Sequence, residues 1–363
     1  MSFSPERSAR DRTRRTFIGN VLLGVALGGI LLGFSLPAPY VIETPGPVFN
    51  VLGDLNGTPI ISTKEVKTYP TDGELDALTV SSQGTPTAKP TWMQVMAAWM
   101  SPDAKVIPME VVYPTGASDQ QIAELDKTMM TDSQQDAVAV ALRRSGYEVP
   151  ALIAVQAIQA KMPAVGLFKA GDIIKSVEGV VPKSTKDVST QINLHNGNPV
   201  HFVIERAGQV KQLVVTPTHT KADPVWRIGI YVGTKYQMPV KVKIDLGDVS
   251  GPSAGMMFTL GLIDKLSPGS LTGGVHIAGT GTIDAKENIG AIGGIGLKMK
   301  AAAKAGAKLF IGPRDNCDEI TGHIPAGLQV VTVTKLSEAL DLLGQVSEKR
   351  AVPSGLSTGC PAN

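Results

Sequence analysis

The sequence predicts a mixed α/β (α+β) body, interrupted by a β-rich unit and led by one membrane-spanning helix. Three observations predict this. An uncharged run, FIGNVLLGVALGGILLGFSL at 17–36, follows a basic tail. Residues 150–218 read as short alternating strands around a single helix. From about 225 onward, short apolar strands take turns with helical stretches. A length of 363 residues suits two or three domains. The composition, 43% hydrophobic and 18% charged, is that of a globular protein. A formal net charge of +2 gives no reason to expect nucleic acid. No zinc-type Cys/His spacing, EF-hand loop, H-E-x-x-H helix or G-x-x-x-x-G-K-[ST] phosphate loop occurs. No cofactor is therefore expected, and no ATPase within this sequence.

At the N-terminus, residues 1–16 carry Arg7, Arg10, Arg12, Arg14 and Arg15 against Glu6 and Asp11. The apolar run that follows has the length of a bilayer core, which takes about 20 residues. Basic residues ahead of a first span favour a cytoplasmic N-terminus. The expectation is a cytoplasmic tail over 1–16, a single-pass anchor over 17–36, and everything after Leu36 outside the cytoplasm. A cleaved leader is the alternative. Against it, Leu36-Pro37-Ala38 is a poor cleavage site, and the run exceeds the roughly 7–15 residues of a leader's apolar region. Cys317 and Cys360 are the two cysteines. An exported body permits a bridge between them, favoured here over two free thiols.

Residues 37–148 begin with strands broken by Pro and Gly: YVIETPG, VFNVLG, ALTVSSQG and VIPMEVVYPTG. A helical TWMQVMAAWM sits among them. Ser118 caps a long helix over 119–145, ended by Gly146. In 149–219, LIAVQAI is a strand, Gly171-Asp172 a turn into a second strand, and Ser184 with Asp187 the start of a helix to about His195. PVHFVIERAGQVKQLVVTPT is a hairpin turning at Ala207-Gly208. This order, and F-K-A-G-D-I-I-K-S-V-E-G above all, resembles a PDZ domain of the bacterial type. That resemblance implies peptide binding. The hydrophobic-Gly-hydrophobic pattern of the carboxylate loop is missing at Pro150-Ala151-Leu152-Ile153. In 220–346, strands are expected at VKVKIDLG, VHIAGTGTI, 308–312 and 328–333. Helices are expected at 253–265, 297–306 and 335–343, with a turn at Asp284–Asn288. Residues 347–363 read as a flexible polar tail.

Two short motifs carry chemistry. Gly251-Pro252-Ser253-Ala254-Gly255 precedes MMFTLGLIDKL, a helix apolar nearly all round and therefore buried. A helix N-terminus offers N–H groups and positive partial charge. A serine there stands beside donors suited to an oxyanion. Read alone, the pentapeptide fits equally a plain Gly-Pro turn with Ser253 as N-cap. The second motif is Gly293-Gly294-Ile295-Gly296-Leu297-Lys298. Lys300, Lys304 and Lys308 follow at i, i+4 and i+8 and form one wet face. Lys298 instead shares a face with Ala301, Ala302 and Ala305. A buried lysine loses solvation, so its neutral amine becomes accessible near neutral pH. A general base for serine requires that.

G-P-S-A-G, then A-G-T-G-T-I, then G-A-I-G-G-I-G-L-K-M-K-A-A-A-K-A-G-A, in this order, resembles the proteolytic domain of Lon-type proteases. With an anchor and a PDZ unit, the chain is similar to the Lon-like, PDZ-containing exported proteases of Gram-positive bacteria. The resemblance implies an ATP-independent serine endopeptidase acting on protein or peptide substrates. It makes Ser253 the nucleophile, Lys298 the base and Thr280 the group that orients the amine, with Gly251 and Pro252 supporting the turn. It also raises hexameric assembly of identical chains. The family usually has Thr-Gly-Glu where this chain has Thr280-Gly281-Thr282. Where Lon proper has an acid three residues before the serine, Ser250 stands here, with Asp248 nearby. MMTDSQQDAVAVAL resembles the helix ahead of the catalytic strand, which makes 149–219 an insertion. Two rival readings stay open. G-P-S-A-G also fits the G-x-S-x-G elbow of α/β-hydrolases, with Asp315 or Asp318 and then His323 completing an esterase triad, although no HGGG-type segment precedes the serine. The other rival is a membrane-anchored PDZ scaffold without catalysis.

Overall fold

A computed structural model of the chain describes residues 17, 20, 21, 23, 24, 28, 29, 33–113, 116, 118–219 and 225–361. The tail 1–16 and nine of the 20 residues of the expected anchor at 17–36 lie outside the described residues. No helix among the described residues is long and apolar enough to cross a membrane. Packing divides the chain into two units, Met1–Ala141 with Val242–Asn363, and Leu142–Lys241.

The first unit begins with β1 (Tyr40–Asn50), β2 (Ile61–Thr63), β3 (Glu74–Gln83), α1 (Trp92–Trp99), β4 (Lys105–Pro108) and the long α2 (Asp119–Arg144). Local chemistry explains the helix starts. Thr91 and Gln94 form a reciprocal capping box on α1. Ser118 and Gln121 exchange the same pair of bonds ahead of α2. In β1, the run Pro45-Gly46-Pro47 shifts the register against β3, as a segment short of ladder donors must.

The second unit holds β5 (Ala151–Ile158), β6 (Ile173–Val177), α3 (Thr185–Leu194), β7 (Val200–Arg206), β8 (Gln209–Val215) and β9 (Ile230–Tyr236). They form one antiparallel sheet in the order β8-β7-β6-β5-β9. Phe168 and Phe202 meet edge to face at 5.2 Å in its core, beside Ile174, Val188 and Ile204. The unit runs past the boundary expected at 219, because β9 pairs with β5 along Ala151–Ile158. The chain leaves this unit at Lys241 instead. The local sequence of β9 could not show this, since a strand's partner is set across the sheet. Both edges of β5 are therefore occupied, by β6 and β9, and an added peptide strand would have to join at β8 or β9.

The chain returns to the first unit with β10 (Val242–Ile244), which pairs with β2. There follow α4 (Gly255–Leu266), β11 (His276–Gly279), β12 (Thr282–Ile283), β13 (Ile289–Gly290), α5 (Ile295–Ala305), β14 (Leu309–Pro313), β15 (Gln329–Val333) and α6 (Leu336–Lys349). The six-stranded sheet has the order β15-β14-β11-β3-β1-β4. Neighbours from β3 to β15 run parallel, while β1 lies antiparallel to both β3 and β4. VHIAGTGTI, expected as one strand, breaks at Thr280-Gly281 into β11 and β12.

The tail departs from expectation. Helix α6 continues to Lys349, and the segment beyond it is fastened. Cys317 and Cys360 form a disulfide, 43 residues apart in sequence. The Thr332 N–H and hydroxyl both donate to the Thr358 carbonyl at 2.8 Å. A Ser/Gly/Pro segment has too little apolar surface to hold itself, and here a cross-link and a strand edge do so. Closing a loop of this length removes denatured-state entropy worth about 2–4 kcal/mol. Cys317→Ala/Cys360→Ala should lower stability by about that amount in a urea melt. An unchanged midpoint would show that the bridge contributes nothing.

Candidate active site

Ser253 stands just ahead of α4. The cap position of that helix is Ala254, which makes no side-chain cap, so the serine hydroxyl is not spent on capping. Gly251 has φ +91°, a left-handed conformation that glycine adopts without strain. The turn is braced from α2: the Pro252 carbonyl accepts from the Ser133 hydroxyl at 2.9 Å, and the Gly251 N–H donates to the Asp126 carbonyl at 3.4 Å. It is braced again from the break after β11. The Ser253 carbonyl accepts from the Thr280 hydroxyl at 3.0 Å and from the Gly281 N–H at 2.8 Å. The Gly281 carbonyl in turn accepts from the Met256 N–H at 3.0 Å. The nucleophile candidate is thus held by its own backbone between two elements.

Lys298 sits in the first turn of α5. The helix starts at Gly294, whose φ of +69° is left-handed. A Cβ on Gly294 would lie 2.8 Å from the Val80 side chain, so glycine lets α5 approach β3. The Lys298 side chain is 2% exposed. Its Nζ donates to the Ser253 Oγ at 2.6 Å and to the Thr280 Oγ1 at 3.1 Å. Burial pushes the amine down to about 8, with the Glu43 carboxylate pulling the other way. Glu43, half-buried on β1, is itself raised, by burial first of all. Around Lys298 the buried residues of α5 are Ile295, Leu297, Met299, Ala301 and Ala302. Ala305, expected on that face, is exposed, because the last turn of α5 clears the core before Gly306. Lys304 and Lys308 are exposed, and Lys300 pairs with Asp103 at 3.2 Å.

Ser253, Lys298 and Thr280 are therefore brought together, with Gly251 and Pro252 forming the turn beneath them. They open on a cleft of about 330 Å³ walled by Leu78–Val80 of β3, Met130 of α2 and Val249–Ser250. A larger hollow of about 670 Å³ adjoins it and shares Met130 and Asp248–Ser250. Its wall carries Asp119, Asp126 and Asp245. The esterase alternative finds no geometry. His323 is exposed with its Nδ1 3.1 Å from the Thr321 carbonyl, and Asp315 and Asp318 are exposed too. The serine hydroxyl is engaged by an amine instead. Elsewhere, Glu74, Asp76 and His276 bring three ligand atoms within 4.8 Å of one another. His276 Nε2 lies 2.6 Å from Asp76 and 3.1 Å from Glu74, within hydrogen-bond reach of both.

Comparison with known proteins finds matches to part of the chain. Residues 228–345 match the Lon protease (S16) C-terminal proteolytic domain. The Lon protease of Vibrio parahaemolyticus is 29% identical over 134 residues, covering 36% of this chain and 16% of that protein. That of Xanthomonas oryzae pv. oryzae is 31% identical over 121 residues, covering 32% of this chain and 14% of the other. The chain thus spans about a sixth of the first of these relatives. A probable protease, eep, of Enterococcus faecalis is 27% identical over 96 residues, 26% of this chain and 23% of its own. Among solved structures, the PDZ domain of the SdrC-like protein from Listeria innocua is similar to 22% of this chain and 92% of its own, at 23% identity and a TM-score of 0.21.

Sequence reasoning missed Ser133, Glu43 and Met130. The Ser133–Pro252 bond spans 119 residues, so no local pattern announces it. The lysine's burial makes a stability prediction. Its amine binds a proton less tightly in the folded chain than in the unfolded one, where the ordinary value is 10.5. The unfolded state then holds more protons between about 8 and 10.5, and stability rises with pH across that window. Below it, the buried charge costs about 3 kcal/mol. Lys298→Met should raise the melting temperature at pH 7, and the gain should shrink toward pH 10.5. A gain that does not vary with pH would contradict the burial argument.

Proposed function

We propose that this chain is a serine endopeptidase in which Ser253 is the nucleophile and Lys298 the general base. The observation that carries the reading is the 2.6 Å contact between the Lys298 amine and the Ser253 hydroxyl inside the protein. Once the amine is neutral the bond reverses direction, and the Ser253 hydroxyl donates to Nζ. Attack of Oγ on a peptide carbonyl transfers the proton to Nζ and forms a tetrahedral adduct. Its oxyanion falls to the backbone of the 251–254 turn, at the positive end of α4. The Lys298 ammonium then protonates the leaving amine, which departs and leaves an acyl-enzyme. Water, deprotonated by the neutral amine, releases the acid. Thr280, bonded to both Nζ and the serine carbonyl, keeps the amine aimed at Oγ.

The substrates on this reading are extended, unfolded or membrane-associated protein segments, since the cleft is too narrow for a folded chain. Lacking a phosphate loop in this sequence, the chain cleaves them without ATP. The run 17–36 is a single-pass anchor, with residues 1–16 cytoplasmic and the body outside the cytoplasm. The unit at 142–241 is a PDZ-like insert that collects substrate.

A peptidase assay of the full chain tests the dyad. Ser253→Ala and Lys298→Ala should each cost about 10³-fold or more, and the double variant no more than either. Lys300→Ala should keep most of the activity. Activity retained in Lys298→Ala would sink the mechanism, and an inert wild type would favour a non-catalytic scaffold. Because the base must be neutral, kcat/KM should fall about tenfold for each pH unit below about 8. A profile flat from pH 6 to 9 would exclude Lys298 as base. For topology, a reporter fused after Asn363 should be active only outside the cytoplasm, and protection of the body from protease added to intact cells would refute the orientation.

A further inference from the structure

Helix α1 is apolar except for Gln94 in its capping box, and it is buried on one side only. Val95 and Ala98 pack inward with Ala38 and Ile42. On the other side Met93 is 57% exposed, Met96 42%, Trp99 57% and Met100 85%. Met93, Met96 and Met100 fall at i, i+3 and i+7, which makes one stripe, and Trp99 stands beside it with one ring edge against Tyr40 at 5.9 Å. From Pro90 to Pro102 the chain carries no charge. A helix of this composition is ordinarily enclosed. An uncovered apolar stripe on it marks a contact surface.

Backbone links show where that surface stands. The Trp92 N–H donates to the Leu36 carbonyl at 3.1 Å, and the Ala38 N–H to the Pro90 carbonyl at 2.7 Å. Pro37 and Thr91 form an antiparallel bridge between them. The start of α1 is thus tied to the residues that end the apolar run 17–36. Eight helical residues span about 12 Å, so no part of α1 lies farther than about that from Leu36. The polar interface of a bilayer leaflet is about 5–8 Å deep. We infer that α1 lies in the membrane interface, with Met93, Met96, Trp99 and Met100 seated in the boundary between headgroups and acyl chains. The inference rests on the proposed span at 17–36. Tryptophan suits that boundary, where an apolar ring meets a wet edge. A second copy of the chain could also cover the stripe. The lipid is favoured because the backbone links bring α1 to the bilayer in every copy, whatever the assembly. With α1 seated in this way, the catalytic body rests near the bilayer, and segments emerging from it are the substrates closest to hand.

The test uses the full chain in phosphatidylcholine–phosphatidylglycerol vesicles, with Trp92→Phe and Trp226→Phe so that Trp99 alone reports. Replacing the lipid by its acyl-chain-dibrominated form should quench Trp99 emission at least twofold. Because Trp92 packs against Tyr40, a second comparison keeps all other tryptophans: wild type should lose more emission to brominated lipid than Trp99→Phe. Emission unchanged by bromine in protein that resists alkaline carbonate overturns the inference and leaves the span standing. Protein stripped by carbonate removes the span and the inference together. Efficient cross-linking between copies through Met96→Cys, without quenching, assigns the stripe to a second chain and overturns it as well.

Discussion

The burial of one amine organises the first unit. A lysine with 2% of its surface exposed must find its donors' partners inside the protein, and Lys298 finds them in Ser253 and Thr280. Those two oxygens come from different elements, one from the turn before α4 and one from the end of β11. Bringing them to one nitrogen requires the strand to break at Thr280-Gly281, the serine turn to be clamped by Gly281, and α5 to press against β3 at a glycine. Each of these is a departure from regular structure, and each falls within one contact of the amine. The same burial that lowers the amine's pKa makes its charge a cost to the fold at neutral pH, a trade common at sites where chemistry requires a displaced pKa.

The rest of the unit acts as a frame for this group. The inner strands of the sheet, β11 and β14, are nearly wholly buried, so the end of β11 cannot drift. Helix α2, whose Ser133 lies 119 residues before Pro252 in the sequence, binds the Gly251–Pro252 turn through Ser133 and Asp126. The disulfide and Thr332 tie down the C-terminal tail at the outer strand. The cleft opens where β3, α2 and the 248–251 loop leave a gap. Its narrowness and its acidic neighbouring hollow are features of the unit's walls, not of the dyad.

The proposed anchoring and catalysis meet in α1. Its inner face helps to close the small core with Ala38 and Ile42, while Met93, Met96, Trp99 and Met100 on its outer face stay exposed. One short helix thus joins the part of the chain nearest the apolar run to the sheet that carries β3, a wall of the cleft.

Much was legible in the chain itself. The cap at Ser118 and the helix start at Ser184 and Asp187 rest on residues three apart, so sequence shows them directly, while the like pair at Thr91 and Gln94 went unread. The separation of Lys298 from Lys300, Lys304 and Lys308 follows from helical period alone, though Ala305 did not follow it, because period says nothing about where a core stops. The pairing of β9 with β5, the break of one expected strand into β11 and β12, the fastening of the tail and the roles of Ser133 and Glu43 all depend on distant partners. Sequence determined which residues could do chemistry and which helices would hold them. Only the tertiary structure decided that Nζ of Lys298 would stand 2.6 Å from Oγ of Ser253, because that distance is set by the packing of elements 45 residues apart.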